Sequence, residues 1–272
     1  MLGLFFIEKF GGVRVPFLHW MAIGLPMVIV LVPIAAFILL RFYPPETEQV
    51  SGIDFAAELA AMGRLSTGEL KMLAIMTTML ALWIASTWLP QIDIVIVGVF
   101  GAVAMFLPGM GLFRSWKEVE RATAWEILLM IGGVTALGAA SSSSGLASWV
   151  VEGALGGLHD WPVFAVLALI SAFIVVVHLV IPINPALVAA MIPPIALLAT
   201  SSGQHPALYG VPVVITASCA FLLPLDAVTL VTYSKGYYRM FDMFLPGLVL
   251  SVIWVVLLTI LVLLIGPFLG WL

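Results

Sequence analysis

The chain is divided into apolar runs about as long as a bilayer core is thick, and no other feature limits its fold so sharply. A helix crossing roughly 30 Å of hydrocarbon takes about 20 residues and satisfies all of its backbone groups internally. Runs of that kind lie at about residues 18–42, 72–89, 92–107 and 244–269, and another, at about 208–233, is interrupted by Pro224, Asp226 and Thr229. Of the 272 residues 63% are hydrophobic and 9% charged, with a mean hydropathy of +1.23, and a soluble domain has no interior large enough to hide that surface. The sequence therefore reads as a multi-pass integral membrane protein, expected in a prokaryotic inner (plasma) membrane, with the lipid bilayer as its first partner.

Prolines and charges punctuate these runs. The first ends at Arg41 and Tyr43, with Pro44 and Pro45 stopping the helix. In the polar linker that follows, Asp54 to Met62 reads as a short surface helix, and Ser66 with Glu69 has the spacing of a capping box opening the next span. Pro90, Gln91 and Asp93 predict a tight turn into a return helix closed by Pro108 and Gly109. After a second polar segment, Trp125 to Ala140 is a small-residue helix in which Gly132, Gly133 and Gly138 allow close helix contact. Ser141 to Ser144 and Gly145 to Leu158 read as interfacial, and Trp149, His159, Asp160 and Trp161 suit a headgroup belt. The apolar stretch from Pro162 to Ala199 is interrupted in its middle by Pro182, Asn184 and Pro185, which predicts two half-length helices meeting at a tip, a re-entrant hairpin. With that hairpin, Arg41, Arg64, Lys71, Arg114, Lys117, Arg121, Lys235 and Arg239 share one side of the membrane and only Lys9 and Arg14 fall opposite, as the enrichment of cytoplasmic loops in basic residues requires. The expected fold is an all-α integral membrane protein with five full or broken transmembrane helices plus one re-entrant helical hairpin.

Several chemistries are excluded. No basic patch exists to grip nucleic acid, Cys219 has no second cysteine to pair with, and the first residues, MLGLFFIEKFGGVRVPF, are not read as a cleaved leader. The serines at 141–144 have no G-x-S-x-G elbow or ordered base, the glycines form no phosphate loop, and no His, Cys or carboxylate cluster has zinc spacing. Three polar residues remain inside apolar surroundings. Asn184, between two prolines, either caps the second limb of the hairpin or binds a ligand. His178 is a proton relay or one partner in an interhelical hydrogen bond. Asp226 costs several kcal/mol at membrane depth and is by default a functional residue, the structural alternative being a buried pair with a partner such as His178.

An interfacial linker, a small-residue helix beginning WEILLMIGG, a re-entrant hairpin, a broken helix and a long last span occur here in the order that resembles the divalent-anion/sodium symporter family, whose members carry dicarboxylates, citrate or sulfate with sodium. The likeness covers essentially the whole chain but matches only the carboxy-terminal half of such a transporter, and FFIEKFGGVRVPFLHWMAIGLP resembles the passage that joins the two halves. It implies a connecting segment and first transmembrane helix at 1–43, a cytoplasmic interfacial linker at 44–71, and a transport half at 72–272, with the hairpin at about 162–199. The family's Ser-Asn-Thr hairpin tip falls on Ile183, Asn184 and Pro185, where only the asparagine is kept, and its Thr-Pro-Pro-Asn-like motif falls on Ala227, Val228, Thr229 and Leu230, where it is not retained.

The implied function is secondary active transport of a small anionic solute, with sodium or a proton as the coupling ion and no other cofactor. The partner is an amino-terminal half or second subunit, as a dimer. Asn184, Pro185 and Thr229 are the expected solute-binding residues and Asp226, Asn184 and Thr229 the cation-coupling ones. A fixed negative charge beside an anion site would repel the solute, so Asp226 is expected either to carry a proton or to ligate the cation with Thr229 and the freed carbonyls of 223–225. A non-transporting membrane subunit and, further off, a membrane enzyme using Asp226 and His178 are the competing readings.

Overall fold

A computed structural model describes residues 2–45, 55–107, 112–113, 115–122 and 161–272, together with scattered positions from 125 to 158. The small-residue helix and the serine run therefore lie largely outside the described residues, as do Asp54, Arg114, His159 and Asp160. Among the described residues the regular structure is helical throughout, and the chain forms two compact units, one of residues 1–42 and 125–272, the other Tyr43–Ala124. The second unit takes in the linker and the helices on either side of the Pro90 turn, which pack on each other.

The smaller unit holds α3 (Phe55–Met62), α4 (Thr67–Ala85), α5 (Ile94–Ala104) and α6 (Trp116–Ala122). Its helix starts are set locally. Glu69 N–H donates to Ser66 Oγ at 3.2 Å and Ser66 N–H to Glu69 Oε2 at 2.6 Å, which forms the capping box expected at α4. Asp93 caps α5 by accepting from Val95 N–H at 2.7 Å and Ile96 N–H at 3.1 Å, and Trp83 Nε1–H bonds the Ile94 carbonyl at 3.0 Å to tie the pair across the turn.

The larger unit is built from α1 (Leu2–Gly11), α2 (Phe17–Phe42), α7 (Val163–Val180), α8 (Asn184–Ser201), α9 (Pro206–Thr216), α10 (Ala227–Tyr233) and α11 (Phe244–Ile265). α1 lies against α8 and α9, α7 against α9 and α11, and α2 against α11. The connecting segment is part of the core: Leu4, Phe6 and Ile7 of α1 are fully enclosed. Gly210 permits this, since a Cβ there would stand 2.8 Å from Ile7 Cγ1. Leu167, Ile170 and Ile174 of α7, Leu187 and Ile192 of α8, Leu208 of α9 and Leu258 of α11 complete the core.

Among the described residues, five helical stretches are long and apolar enough to cross a membrane: α2, α4, α7, α8 and 240–269, which contains α11. The break at residues 181–183 falls where the prolines placed it, but the limbs on either side are not half-length. Each has 18 residues, about 27 Å. Pro193 and Pro194 lie inside α8 without ending it; each removes one backbone donor, and the dense surroundings of Ile192, Ile195 and Ala196 hold the helix together. The second interruption covers 217–226, so it begins well before Pro224, and Thr229, expected within it, lies in α10.

Candidate functional site

The two helix breaks meet. At the first, Ile181 (φ −116°, ψ 79°) and Ile183 (φ −130°, ψ 107°) leave helical geometry, and Asn184 and Pro185 become the first two residues of α8. Proline suits that place because the first turn of a helix has no use for its missing N–H. Ile183 occupies the cap position and supplies no capping side chain. Asn184 is thus not a cap. Its Nδ2 donates instead to Ser218 Oγ at 2.9 Å, at the start of the second break.

That second break is anchored from α11. Trp254 Nε1–H bonds Thr216 Oγ1 at 3.3 Å, and Cys219 Sγ lies 3.7 Å from Ser251 Oγ. Beside the Asn184–Ser218 contact is a cavity of about 180 Å³, lined by both residues, by Pro185 and Val188, by Trp20 of α2 and by the amino-terminal end of α1. It is smaller than the roughly 300–1,000 Å³ pockets that accept drug-sized ligands, so it suits a solute of few heavy atoms. Its polar side chains Asn184 and Ser218 come from the two helix breaks, and breaks of this kind are where membrane carriers hold small ions.

At its far end the same break meets the first limb of the hairpin. Asp226 stands just before α10, and its Oδ2 is 3.9 Å from Nε2 of His178, in the last turn of α7. His178 is 4% exposed. Neither of its ring nitrogens has a hydrogen-bond partner of acceptable geometry, although the Ala217 backbone lies against the ring. Thr229 Oγ1–H donates to the Asp226 carbonyl at 3.0 Å, and the Leu223 carbonyl accepts from Leu225 N–H at 2.8 Å, so both groups are engaged within the break itself.

Of the residues singled out from the sequence, the structure brings Asn184 and Pro185 to one cavity and His178 and Asp226 to one contact. It does not gather all four, and Thr229 is not among the residues lining the Asn184 cavity. Sequence reasoning missed Ser218 and Trp20. The one signal for Ser218 was a hydroxyl, two residues after that of Thr216, in the apolar run VVITASCAFLL, which is equally the signature of a buried structural serine.

Comparison with known proteins places these breaks in context. A family model described as "Sodium:sulfate symporter transmembrane region" matches residues 1–272. The chain is 29% identical to a "Membrane protein" of Cupriavidus necator over 84% of its own length and 45% of the relative's. It is 23% identical to the Na(+)/citrate cotransporter of Rattus norvegicus, over 87% of this chain and 50% of that one. It is 27% identical to the sodium-dependent dicarboxylate transporter SdcS of Staphylococcus saprophyticus, over 78% and 44% respectively. The chain thus spans about half the length of the curated relatives it matches.

Proposed function

This chain belongs to the sodium:sulfate symporter family, an integral-membrane family of transporters and not of enzymes, and on that premise we propose that it forms half of a cation-coupled carrier for a small anionic solute of the dicarboxylate, citrate or sulfate class. The observation that carries this reading is the Asn184–Ser218 bond, which holds two broken helices together beside a cavity of about 180 Å³. Broken helices expose backbone donors and acceptors at membrane depth without side-chain charge, the arrangement by which membrane carriers hold an ion and release it again. Asn184 and the neighbouring backbone at Pro185 contact the solute, and Thr229 acts by holding the Asp226 backbone. The coupling gradient is sodium, as the names of the relatives suggest, and the assembled carrier takes its other half from a further polypeptide segment or a second copy.

Apolar Ile183 and Pro185 on either side of Asn184 offer no side-chain donor to a solute and favour one competing reading, a non-transporting membrane subunit that binds another protein. Radiolabelled succinate, citrate and sulfate uptake into proteoliposomes separates the two. With the chain reconstituted together with its other half, accumulation that needs an inward sodium gradient supports the carrier. The absence of both solute binding and gradient-driven accumulation supports the subunit, and uptake by the isolated monomer rules out the half-carrier.

A further inference from the structure

We propose that the solute site continues into an apolar groove beside it and takes, besides compact anions, carboxylates with an unbranched alkyl tail, the carboxylate at Asn184 and Ser218 and the tail along α2. The proposal deepens the transport reading and rests on it for the place of the carboxylate. A cavity of about 520 Å³ lies between α2, the end of α9, the start of the second break and α11. Trp20, Val214 and Ser218 line both this cavity and the smaller one at Asn184, so the two are neighbours across three side chains. From Trp20 the wall of the larger cavity reaches Ala35, about 22 Å further along α2 at 1.5 Å per residue.

The chemistry of the wall changes along that length. Its polar side-chain groups are the Ser218 hydroxyl and the indole N–H groups of Trp20 and Trp254, and the Trp254 donor is committed to Thr216 Oγ1. Trp20 and Ser218 belong to the end shared with the smaller cavity, while Leu31, Val32 and Ala35 at the other end offer a ligand no hydrogen bond. Such a groove suits a ligand that is polar at one end only. Among the described residues lining the two cavities none is charged, so a head with one negative charge costs less to bury there than a head with two. The smaller cavity, at about 180 Å³, admits a head of few atoms, which favours a carboxylate over the bulkier phosphodiester head of a bilayer lipid. Leu25, Val28 and Val32 are exposed on the rim of the groove and leave its side open for a tail to enter. Gly24 widens it, since a Cβ there would meet nothing within 4 Å. A larger side chain at that position takes up groove space without displacing protein.

Radiolabelled butanoate, hexanoate, octanoate and decanoate are the probes. Their binding is measured on the purified 272-residue chain in lipid nanodiscs, with partitioning into the bilayer removed by subtracting protein-free nanodiscs. Wild type is expected to bind more tightly as the tail lengthens, by up to about fourfold per added methylene. Gly24→Leu should flatten that series, and Ser218→Ala should weaken all four members several-fold. If Gly24→Leu does not fold, Ala35→Leu at the far end of the groove gives the same answer by weakening decanoate while hexanoate binds as before. Affinities independent of tail length in wild type, a Gly24→Leu series as steep as wild type, or four affinities untouched by Ser218→Ala overturn the proposal, as does a failure of all four probes to bind. So does a bilayer phospholipid that co-purifies with wild type, is lost in Gly24→Leu and is not displaced by decanoate, an outcome that gives the groove to lipid. Tail-dependent binding without sodium-driven accumulation by the assembled carrier counts against the transport reading alone.

Discussion

The side-chain amide of Asn184 donates to the hydroxyl of Ser218 at 2.9 Å, and that bond joins the two places in the larger unit where a membrane-depth helix is interrupted. Each interruption alone leaves backbone donors and acceptors without helical partners. Placed against each other, they set a side-chain amide and a hydroxyl on the wall of the small cavity.

Removing that bond is expected to loosen the wall without dismantling the unit. A neutral hydrogen bond contributes about 0.5–1.5 kcal/mol net, so Asn184→Ala should raise the apparent KM for solute several-fold, with maximal uptake less affected. Ser218→Ala should have a smaller effect in the same direction, and the double variant should cost less than the sum, since both remove one interaction. Concentration-dependent uptake by the three variants at matched expression measures this; strictly additive losses would separate the two residues functionally.

Gly247 in α11 is where the second break presses closest on its neighbour. A Cβ at this position would run into the carbonyl group of Phe221 and stand 3.2 Å from Leu222 Cα, both backbone atoms that cannot swing aside. Gly247→Ala is therefore expected to destabilise the chain by about 1–3 kcal/mol, the usual cost of overpacking, and to lower Tm in detergent. Gly24→Ala in α2, where nothing lies within 4 Å of the added carbon, should leave Tm unchanged or slightly raised. Equal Tm values for the two variants would remove the steric argument.

Local signals were the readable ones. Ser66 and Glu69 announced the start of α4 because a capping box depends on four consecutive residues and nothing else, and Pro182 and Pro185 marked the first break because proline acts on its own turn. The beginning of the second break was hidden: residues 217–223 contain neither proline nor glycine, and what holds them out of a helix is tertiary, Trp254 gripping Thr216 and Ser251 gripping Cys219. The burial of α1 was likewise unreadable, since it depends on a glycine far along the chain, Gly210, leaving space for Ile7. The pairing of Asp226 with His178 was raised as the structural alternative, because an acid at membrane depth needs a partner and the apolar runs offered few.

Asp226→Asn keeps the shape of the side chain and removes its charge. If Asp226 couples the carrier to its driving gradient, the variant should insert and assemble normally, while gradient-driven accumulation is lost or proceeds without its normal dependence on the cation. Solute exchange in the absence of a gradient should survive. Uptake and exchange measured side by side at matched membrane insertion test this, and an unchanged coupling stoichiometry in the variant would reassign Asp226 to a structural role.

His205, just ahead of α9 and outside the membrane-spanning segments, links stability to pH. Its Nδ1 accepts the Ala207 N–H at 3.2 Å as the cap of that helix, which requires the nitrogen to be unprotonated. Burial lowers its pKa below the ordinary value of 6.5. A histidine whose pKa is lower folded than unfolded contributes stability that is complete above the unfolded pKa and is lost as pH falls from there through the folded value. Wild-type Tm is therefore expected to decline between about pH 7.5 and pH 5, the range in which histidine changes charge. His205→Asn keeps a capping side chain, since asparagine is among the best cap residues, but has no proton to gain. Its Tm should match wild type at the upper pH and fall less towards the lower one. Thermal unfolding of both proteins across that range gives the comparison, and parallel declines would place the acid sensitivity elsewhere in the chain.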